Sequence, residues 1–447
     1  MLTSINRIAE RIRSGKLTSL ALVENSLAAA KRSKFVFIKL NAEQSRLQAE
    51  GVDNARRAGE DLPPYAGIPI TLKDLFDVQG EVTAAGSRVL ASDPPAIQDA
   101  PVISRLREAG FIFLGRVNMS EFAFSGMGTN PHYGTPLSIW NRQSRRLPGG
   151  SSSGSAVSIA EGIVPGSIGS DTAGSTRIPA AFNGVVGYKP SYGRFPLDGI
   201  FPLSPTTDTP GPLANTVECC YLLDAAMDGE LYPVRLTAKS AAEVSLLLPQ
   251  ANVMGDLDSI VSRTFELAVE RLRTAGCRIE SVAVPALDGL LEIFQTKPLA
   301  TYEAWLAHRQ RIVNHGDEYD PFVRWRIATG ADISDDSYQG SLRQRRALIE
   351  EFNAAMQGFD AIIYPTVASV PPRLDEVIEL ESARAINFRC LRNTGTVNYF
   401  DGCAISIPCH IVNEPPVGLM LSACNKRDFN LFQVALTAEQ ILQPSRR

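Results

Sequence analysis

The segment 147–190 contains the residues of this chain that are best suited to catalysis or ligand binding, in two loops rich in serine and glycine. Seven serines fall between Ser151 and Ser170, and Ser175 follows them. The apolar residues between the loops predict a buried frame of a short helix and a strand, which a flexible Gly/Ser linker would lack. Backbone N–H groups held in such tight turns could bind an anion or stabilise a developing oxyanion.

One pattern in this stretch points to Ser152 as a nucleophile. Gly150, Ser152 and Gly154 satisfy G-x-S-x-G, the nucleophile elbow of α/β-hydrolases. That elbow needs a hydrophobic strand before it, and the preceding residues, NRQSRRLPG, cannot form one. A phosphate-binding loop is also disfavoured, because neither G-x-x-x-x-G-K-[ST] nor G-x-G-x-x-G is present.

Ser175 is the stronger candidate nucleophile from its position. It follows the residues Asp171-Thr172-Ala173-Gly174, after a predicted strand and before a helix predicted to begin near Thr176. Its own N–H and those before it could therefore converge on one point, which suits an oxyanion hole around a nucleophile. Histidine is scarce nearby, so the candidate bases are Lys73 and Lys189, whose apolar neighbours favour a neutral amine. Spacing alone does not choose between the two lysines.

The elements that position these residues alternate between helix and strand. Residues 67–74 carry a β-branched run that predicts a strand, with Lys73 and Asp74 where that strand ends. Helices are predicted after Ser4, after Thr18 or Ser19, after Asn41, and over 102–109, 257–275 and 429–442; strands are predicted over 35–40, 111–115, 246–249, 277–284, 360–366, 403–409 and 417–423. This rhythm favours a sheet covered on both faces, in a single domain spanning residues 1–447.

Residues 287–344 interrupt that rhythm, because their pattern is helical but irregular and rich in aromatic residues. We interpret them as an insertion in the domain. Its aromatic side chains are expected to serve packing more than they serve a substrate wall.

Composition narrows the function classes. The 447 residues carry 44 basic and 48 acidic side chains, and neither sign forms a long run, so no nucleic-acid or membrane-surface partner is expected. The seven cysteines lack CxxC spacing and the four histidines form no HExxH, which favours a reducing compartment and no metal. Without a signal-peptide run or about 18 consecutive apolar residues, the chain is predicted to be soluble and cytoplasmic.

Two segments carry a specific resemblance. GGSSSGSA (149–156) and GSDTAGSTRIPAAFNGVVGYKP (169–190) resemble the signature of the amidase signature family, and 67–74, 100–125, 128–136 and 404–408 match its other landmarks. The resemblance covers nearly the whole chain. It implies an α/β fold, a single α/β/α sandwich around a large mixed β-sheet.

The resemblance also implies roles for individual residues. Lys73 would be the base, Ser151 the bridging serine after a cis peptide bond from Gly150, and Ser175 the nucleophile. The backbone N–H groups of the oxyanion hole would be those of Thr172, Ala173, Gly174 and Ser175. The expected substrate contacts are Gly126 and Met127, and the expected supporting residues are Asp171, Arg177, Ser152 and Ser153. Lys189 and His132 would be structural.

The predicted function is hydrolysis of a carbon–nitrogen bond of a small-molecule amide, carbamate or urea, through a serine acyl-enzyme and without a cofactor or a metal. A homodimer is the oligomeric state considered for this chain. An alternative is the glutaminase component of a tRNA-dependent amidotransferase, although DTAGSTRIPA departs from the DTGGSIRQPA associated with that component. A non-catalytic binding protein on the same fold is the alternative of another class, and the presence of Lys73, Ser151 and Ser175 together argues against it.

Overall fold

The computed structural model describes residues 4–442, and the strands of this part form one sheet of 11 strands. The strands are β1 (Phe37–Leu40), β2 (Pro69–Lys73), β3 (Ile112–Val117), β4 (Gly166–Asp171), β5 (Val186–Lys189), β6 (Thr209–Ala214), β7 (Ser245–Gln250), β8 (Arg278–Ala283), β9 (Ala361–Pro365), β10 (Cys403–Pro408) and β11 (Gly418–Ala423). Their order across the sheet is β1-β3-β2-β4-β6-β5-β10-β11-β9-β7-β8. The sheet is mixed: β2 runs parallel to β3 and β4, and β7 to β8 and β9, whereas the central strands pair antiparallel.

Helices lie between most of these strands. They are α1 (Ile5–Arg13), α2 (Ser19–Arg32), α3 (Ala42–Ala58), α4 (Pro101–Glu108), α5 (Ser153–Ala160), α6 (Arg177–Asn183), α7 (Val217–Asp228), α8 (Ser259–Thr274), α9 (Pro285–Thr296), α10 (Leu299–His315), α11 (Pro321–Ala328), α12 (Asp335–Ala355), α13 (Leu380–Tyr399) and α14 (Asp428–Leu442). Within residues 4–442, none of these helices has the length and apolar content that a membrane span requires.

The central strands bury both of their faces. Ile405 of β10 and Leu421 of β11 belong to one apolar core, whereas their neighbours Ala404 and Met420 belong to a second one. Because successive side chains of a strand point to opposite faces, the two cores lie on opposite sides of the sheet. The predicted α/β fold with a large mixed sheet between helical layers is thereby confirmed.

Strands β5 and β6 and helices α7 and α13 are not predicted from the sequence. Strand β6 contains glycine and proline, which usually disfavour strands. The glycine has a packing reason, because a Cβ at Gly211 would lie 2.4 Å from the carbonyl oxygen of Tyr188 in β5. Helix α7 lacks a polar face, since most of its residues are buried, so it shows no clear apolar stripe.

The aromatic residues of α10, of α11 and of the segment between them divide between packing and a cavity wall. The ring of Tyr302 lies 4.6 Å from that of Tyr338, and the ring of Tyr319 lies 5.1 Å from that of Phe122. Phe322 and Trp325 instead line a cavity that is described below.

The buried centre of the sheet should contribute strongly to the stability of the protein. Ile405 is 0% exposed and pairs with Tyr188 and Leu421, so Ile405→Ala should lower the free energy of unfolding by about 2–5 kcal/mol. The control Ile97→Ala removes a side chain that is 89% exposed and should change stability by less than about 0.5 kcal/mol. Denaturant unfolding measures both, and equal losses would contradict this account of the core.

Candidate active site

Lys73 and two serines meet where two parallel strands end, and a third serine, Ser175, follows one of these strands. Lys73 is the last residue of β2, and its Nζ lies 2.6 Å from Ser151 Oγ and 2.8 Å from Ser170 Oγ of β4. The peptide bond between Gly150 and Ser151 is cis. Ser175 follows β4, and its carbonyl oxygen accepts a hydrogen bond from the N–H of Ser152 at 3.2 Å. The two serine-rich loops therefore touch each other beside the Lys73 amine.

Burial controls the charge of Lys73. The side chain is 0% exposed, and loss of hydration lowers the pKa of its amine to about 7, against the opposing effect of the Asp171 and Asp208 carboxylates. A large fraction of Lys73 is therefore neutral near pH 7. A neutral amine that contacts a hydroxyl can accept its proton.

Lys189 is buried as well, but its partners are different. Burial lowers the pKa of its amine to about 8. Its Nζ donates to the carbonyl oxygens of Pro190 at 2.8 Å and Gly402 at 2.6 Å. A carbonyl oxygen carries no proton to give, so this amine holds two chain segments together and has no hydroxyl to deprotonate.

The loop at Ala173 and Gly174 is fixed at both ends of one peptide group. The carbonyl oxygen of Ala173 accepts a hydrogen bond from Thr394 Oγ1 at 2.7 Å, and the N–H of Gly174 donates to Asp171 Oδ1 at 2.7 Å. Gly174 has φ +127°, and a Cβ there would lie 2.1 Å from Thr394 Oγ1. Only glycine fits this position.

This arrangement differs from the prediction for Gly174. The resemblance places its N–H among the oxyanion donors, but this N–H is already engaged with the Asp171 carboxylate. Across residues 4–442, the N–H groups of Thr172, Ala173 and Ser175 make no hydrogen bond. These three N–H groups, and not that of Gly174, are therefore free to bind an oxyanion.

A buried ion pair stabilises the loop that contains Ala173 and Gly174. Asp171 and Arg177 are both 0% exposed, and Arg177 donates to both carboxylate oxygens, at 2.8 and 3.0 Å. Burial alone would raise the pKa of Asp171, but the Arg177 guanidinium outweighs it and holds that pKa well below the ordinary range. Arg177 also donates to the carbonyl oxygen of Thr394 and to Asn398 Oδ1, so the pair joins β4, α6 and α13.

The other predicted supporting serines are buried within the same loops. Ser152 Oγ donates to the carbonyl oxygen of Ser170 at 3.3 Å, and Ser153 Oγ donates to that of Asn118 at 3.3 Å. Ser152 is 0% exposed and no strand precedes it, so the structure does not support a nucleophile elbow at this residue.

Gly126 lies beside the lysine and serine cluster, whereas Met127 points into a core. The carbonyl oxygen of Gly126 accepts a hydrogen bond from the N–H of Gly150 at 2.8 Å. Met127 is 2% exposed and packs in a small apolar cluster with Leu147 and Ala383. Of the two predicted substrate contacts, Gly126 therefore lies closer to the serine loop, whereas the Met127 side chain is occupied in packing.

Sequence reasoning missed several residues of the site. Ser170 contacts Lys73, Thr394 and Asn398 hold the loop from α13, and Asp208 accepts a hydrogen bond from Thr172 Oγ1 at 2.6 Å. Burial raises the pKa of Asp208 to about 6. Thr394 and Asn398 lie more than 200 residues from the loop along the chain, so no local pattern links them to it.

Comparison with known proteins gives a consistent result. A model of the amidase family matches residues 21–432. The 2-amino-5-chloromuconic acid deaminase of Comamonas testosteroni is 33% identical over 98% of this chain and 96% of its own length. A component of the glutamyl-tRNA(Gln) amidotransferase of Thermobifida fusca is 32% identical over 91% of this chain and 88% of its own length. A crystal structure of an amidase has a TM-score of 0.88 and 33% identity over 98% of this chain and 99% of that one.

The site geometry predicts strong coupling between Asp171 and Arg177. Asp171→Asn should lower the free energy of unfolding by about 3–5 kcal/mol near pH 7, because Arg177 would stay buried without a negative partner. Adding Arg177→Met should cost less than the sum of the single changes, with a coupling of about 0.5–3 kcal/mol. Denaturant unfolding of the four proteins of this cycle measures the coupling, and additive losses would refute it.

Proposed function

The chain belongs to the amidase family and is a hydrolase of carbon–nitrogen bonds other than peptide bonds, and on this premise we propose that it cleaves a small-molecule amide through an acyl-enzyme on Ser175. The observation that carries the proposal is the 2.6 Å contact between the buried amine of Lys73 and the hydroxyl of Ser151. In this scheme Lys73 is the base, Ser151 the bridging serine and Ser175 the nucleophile.

Acylation begins when Ser175 Oγ attacks the carbonyl carbon of the amide. The proton of Ser175 passes through Ser151 to the neutral amine of Lys73. The oxyanion of the tetrahedral intermediate accepts hydrogen bonds from the N–H groups of Thr172, Ala173 and Ser175. The proton then returns through Ser151 to the leaving nitrogen, and the carbon–nitrogen bond breaks.

Deacylation uses the same groups in the same order. Water attacks the acyl carbon of Ser175 and gives a proton, through Ser151, to Lys73. The intermediate collapses, the acid leaves, and Ser175 recovers its proton. The net reaction is amide plus water to acid plus amine, and side chains and backbone of this chain supply every step.

Asp171 supports this chemistry without reacting. It holds the N–H of Gly174 and the guanidinium of Arg177, which sets the direction of the neighbouring peptide groups. The free N–H groups before and after Gly174 are then fixed before the substrate arrives, which is the condition for effective oxyanion stabilisation.

The relatives suggest where to look for the substrate. One is named as a deaminase of 2-amino-5-chloromuconic acid, and another is a component of a glutamyl-tRNA(Gln) amidotransferase. Hydrolysis by the purified protein should be measured on a panel of primary amides, amides that also carry a carboxylate, carbamates and glutamine. Turnover of glutamine alone, dependent on a tRNA-binding partner, would instead favour the glutaminase function.

The first functional prediction concerns the nucleophile. A fluorophosphonate probe, which acylation-competent serines attack, should label the wild type, and peptide mapping should place the adduct on Ser175. Ser175→Ala should abolish labelling, whereas the control Ser152→Ala should still be labelled at Ser175. An adduct on Ser152 would overturn the assignment.

The second functional prediction concerns the base. Because only the neutral amine accepts the proton, kcat/KM should rise with pH through the pKa of about 7 and level off above it. Lys73→Ala should lower kcat/KM for amides by roughly 10²- to 10⁴-fold and remove this rise. Activated esters should lose less, because their leaving group needs little protonation.

Lys189→Ala is the matched control for Lys73→Ala. Its loss leaves two buried carbonyl oxygens without a donor, so we expect a lower free energy of unfolding and an unchanged position of the pH rise. If the rise persists in Lys73→Ala and disappears in Lys189→Ala, the assignment of the base is wrong.

A further inference from the structure

A cavity of about 410 Å³ lies between α9, α11 and α13, outside the cluster of Lys73 and the serines. Half of its lining residues are apolar and half are polar or charged, and they include Phe294, Phe322, Trp325, Arg326, Asn387 and Leu391. Such a wall offers apolar surface for contact and polar groups that could orient a small molecule.

Helix α13 connects this cavity to the reaction centre. Asn387 Oδ1 accepts a hydrogen bond from the N–H of Gly126 at 2.8 Å, and the carbonyl oxygen of Gly126 accepts one from the N–H of Gly150, next to Ser151. Leu391 lies in the wall, and Thr394, roughly one helical turn or 5 Å further along, holds the carbonyl oxygen of Ala173. Helix α13 therefore contributes both to the cavity wall and to the support of the loop before Ser175.

Arg326 of α11 brings an uncompensated positive charge to this wall. Its guanidinium lies 4.0 Å from the ring centroid of Phe124, and its Nη1 donates to the carbonyl oxygen of Phe124 at 3.1 Å. In the described part of the chain it has no ion pair with a carboxylate. Burial lowers the pKa of Arg326 to about 10. A partly buried cation without a counter-ion is costly, and a bound anion would remove that cost.

Arg384 lines the same cavity but differs in its partners. Its Nη1 lies 2.9 Å from Glu381 Oε2, its guanidinium stacks over Trp325, and its side chain is 50% exposed. The charge of Arg384 is thus already paired and hydrated. Arg326 is therefore the better candidate of the two to bind an anionic ligand.

From this geometry we propose that Arg326 binds a carboxylate of the substrate, while the aromatic wall holds the apolar chain between that carboxylate and the amide. The substrate class is then the half-amides of short dicarboxylic acids. The inference rests on the proposed acyl-enzyme function, and it adds a specificity-determining residue to that function.

The test compares half-amides with neutral amides of matched chain length. Succinamate, glutaramate and adipamate are paired with butyramide, valeramide and hexanamide, and kcat/KM is measured for each. The wild type should prefer at least one half-amide over its neutral partner by more than tenfold. Arg326→Met should reduce that preference by roughly 10- to 100-fold, the usual effect of losing a charged hydrogen bond.

Two further variants separate charge recognition from folding. Arg326→Lys keeps the positive charge and should retain part of the preference. The control Arg324→Met, on the same helix but outside the cavity wall, should change the preference less than threefold. A wild type that prefers neutral amides would overturn the proposal. So would an Arg326→Met protein, folded as judged by its thermal midpoint, that loses activity equally on charged and neutral amides.

Binding without turnover distinguishes this proposal from the proposed function. Calorimetry with Ser175→Ala and the dicarboxylates glutarate and adipate should show binding that disappears when Arg326→Met is added. Binding that does not depend on Arg326 overturns the carboxylate site even in an active amidase. Arg326-dependent binding in a chain that cleaves no amide would instead overturn the acyl-enzyme function and keep the carboxylate site.

Discussion

The ion pair of Asp171 and Arg177 is the interaction on which the rest of the site depends. Both side chains are excluded from water, so each charge is tolerable only because the other is present. The pair lies where β4 ends, and its remaining hydrogen bonds reach the loop before Ser175 and two residues of α13. A disturbance of the pair therefore reaches the backbone donors and the helix that also forms the cavity wall.

The Asp171 carboxylate also affects the pKa of Lys73. Burial favours the neutral amine, whereas the Asp171 and Asp208 carboxylates favour the charged one, and the result is a pKa of about 7. Burial alone would lower the pKa of the amine further, and the two carboxylates limit that decrease. Neither carboxylate hydrogen-bonds to the Lys73 amine, whose partners are the hydroxyls of Ser151 and Ser170.

The sequence predicts those parts of the molecule in which neighbouring residues act together. The strand that ends at Lys73, both serine loops and the supporting residues Asp171 and Arg177 lie in short segments whose residue types are informative. Thr394, Asn398 and Asp208 could not be found in this way, because each is a single polar residue brought to the loop by the sheet and α13. The engagement of the Gly174 N–H was missed for a related reason: the direction of a peptide group depends on Thr394, a distant partner.

The residues that would carry out the reaction lie in local segments of the sequence, whereas the residues that line the cavity come from distant segments. The lysine, the serines and the free N–H groups lie at strand ends and in the two serine-rich loops, where a short sequence fixes their geometry. The cavity wall comes from α9, α11 and α13, and Glu303 of α10 joins this helical part to the site by accepting hydrogen bonds from Ser204 and Thr206, in the loop that carries Asp208. A change in these helices can therefore alter which amide is bound while Lys73, Ser151 and Ser175 keep their positions, so a shared reaction does not imply a shared substrate.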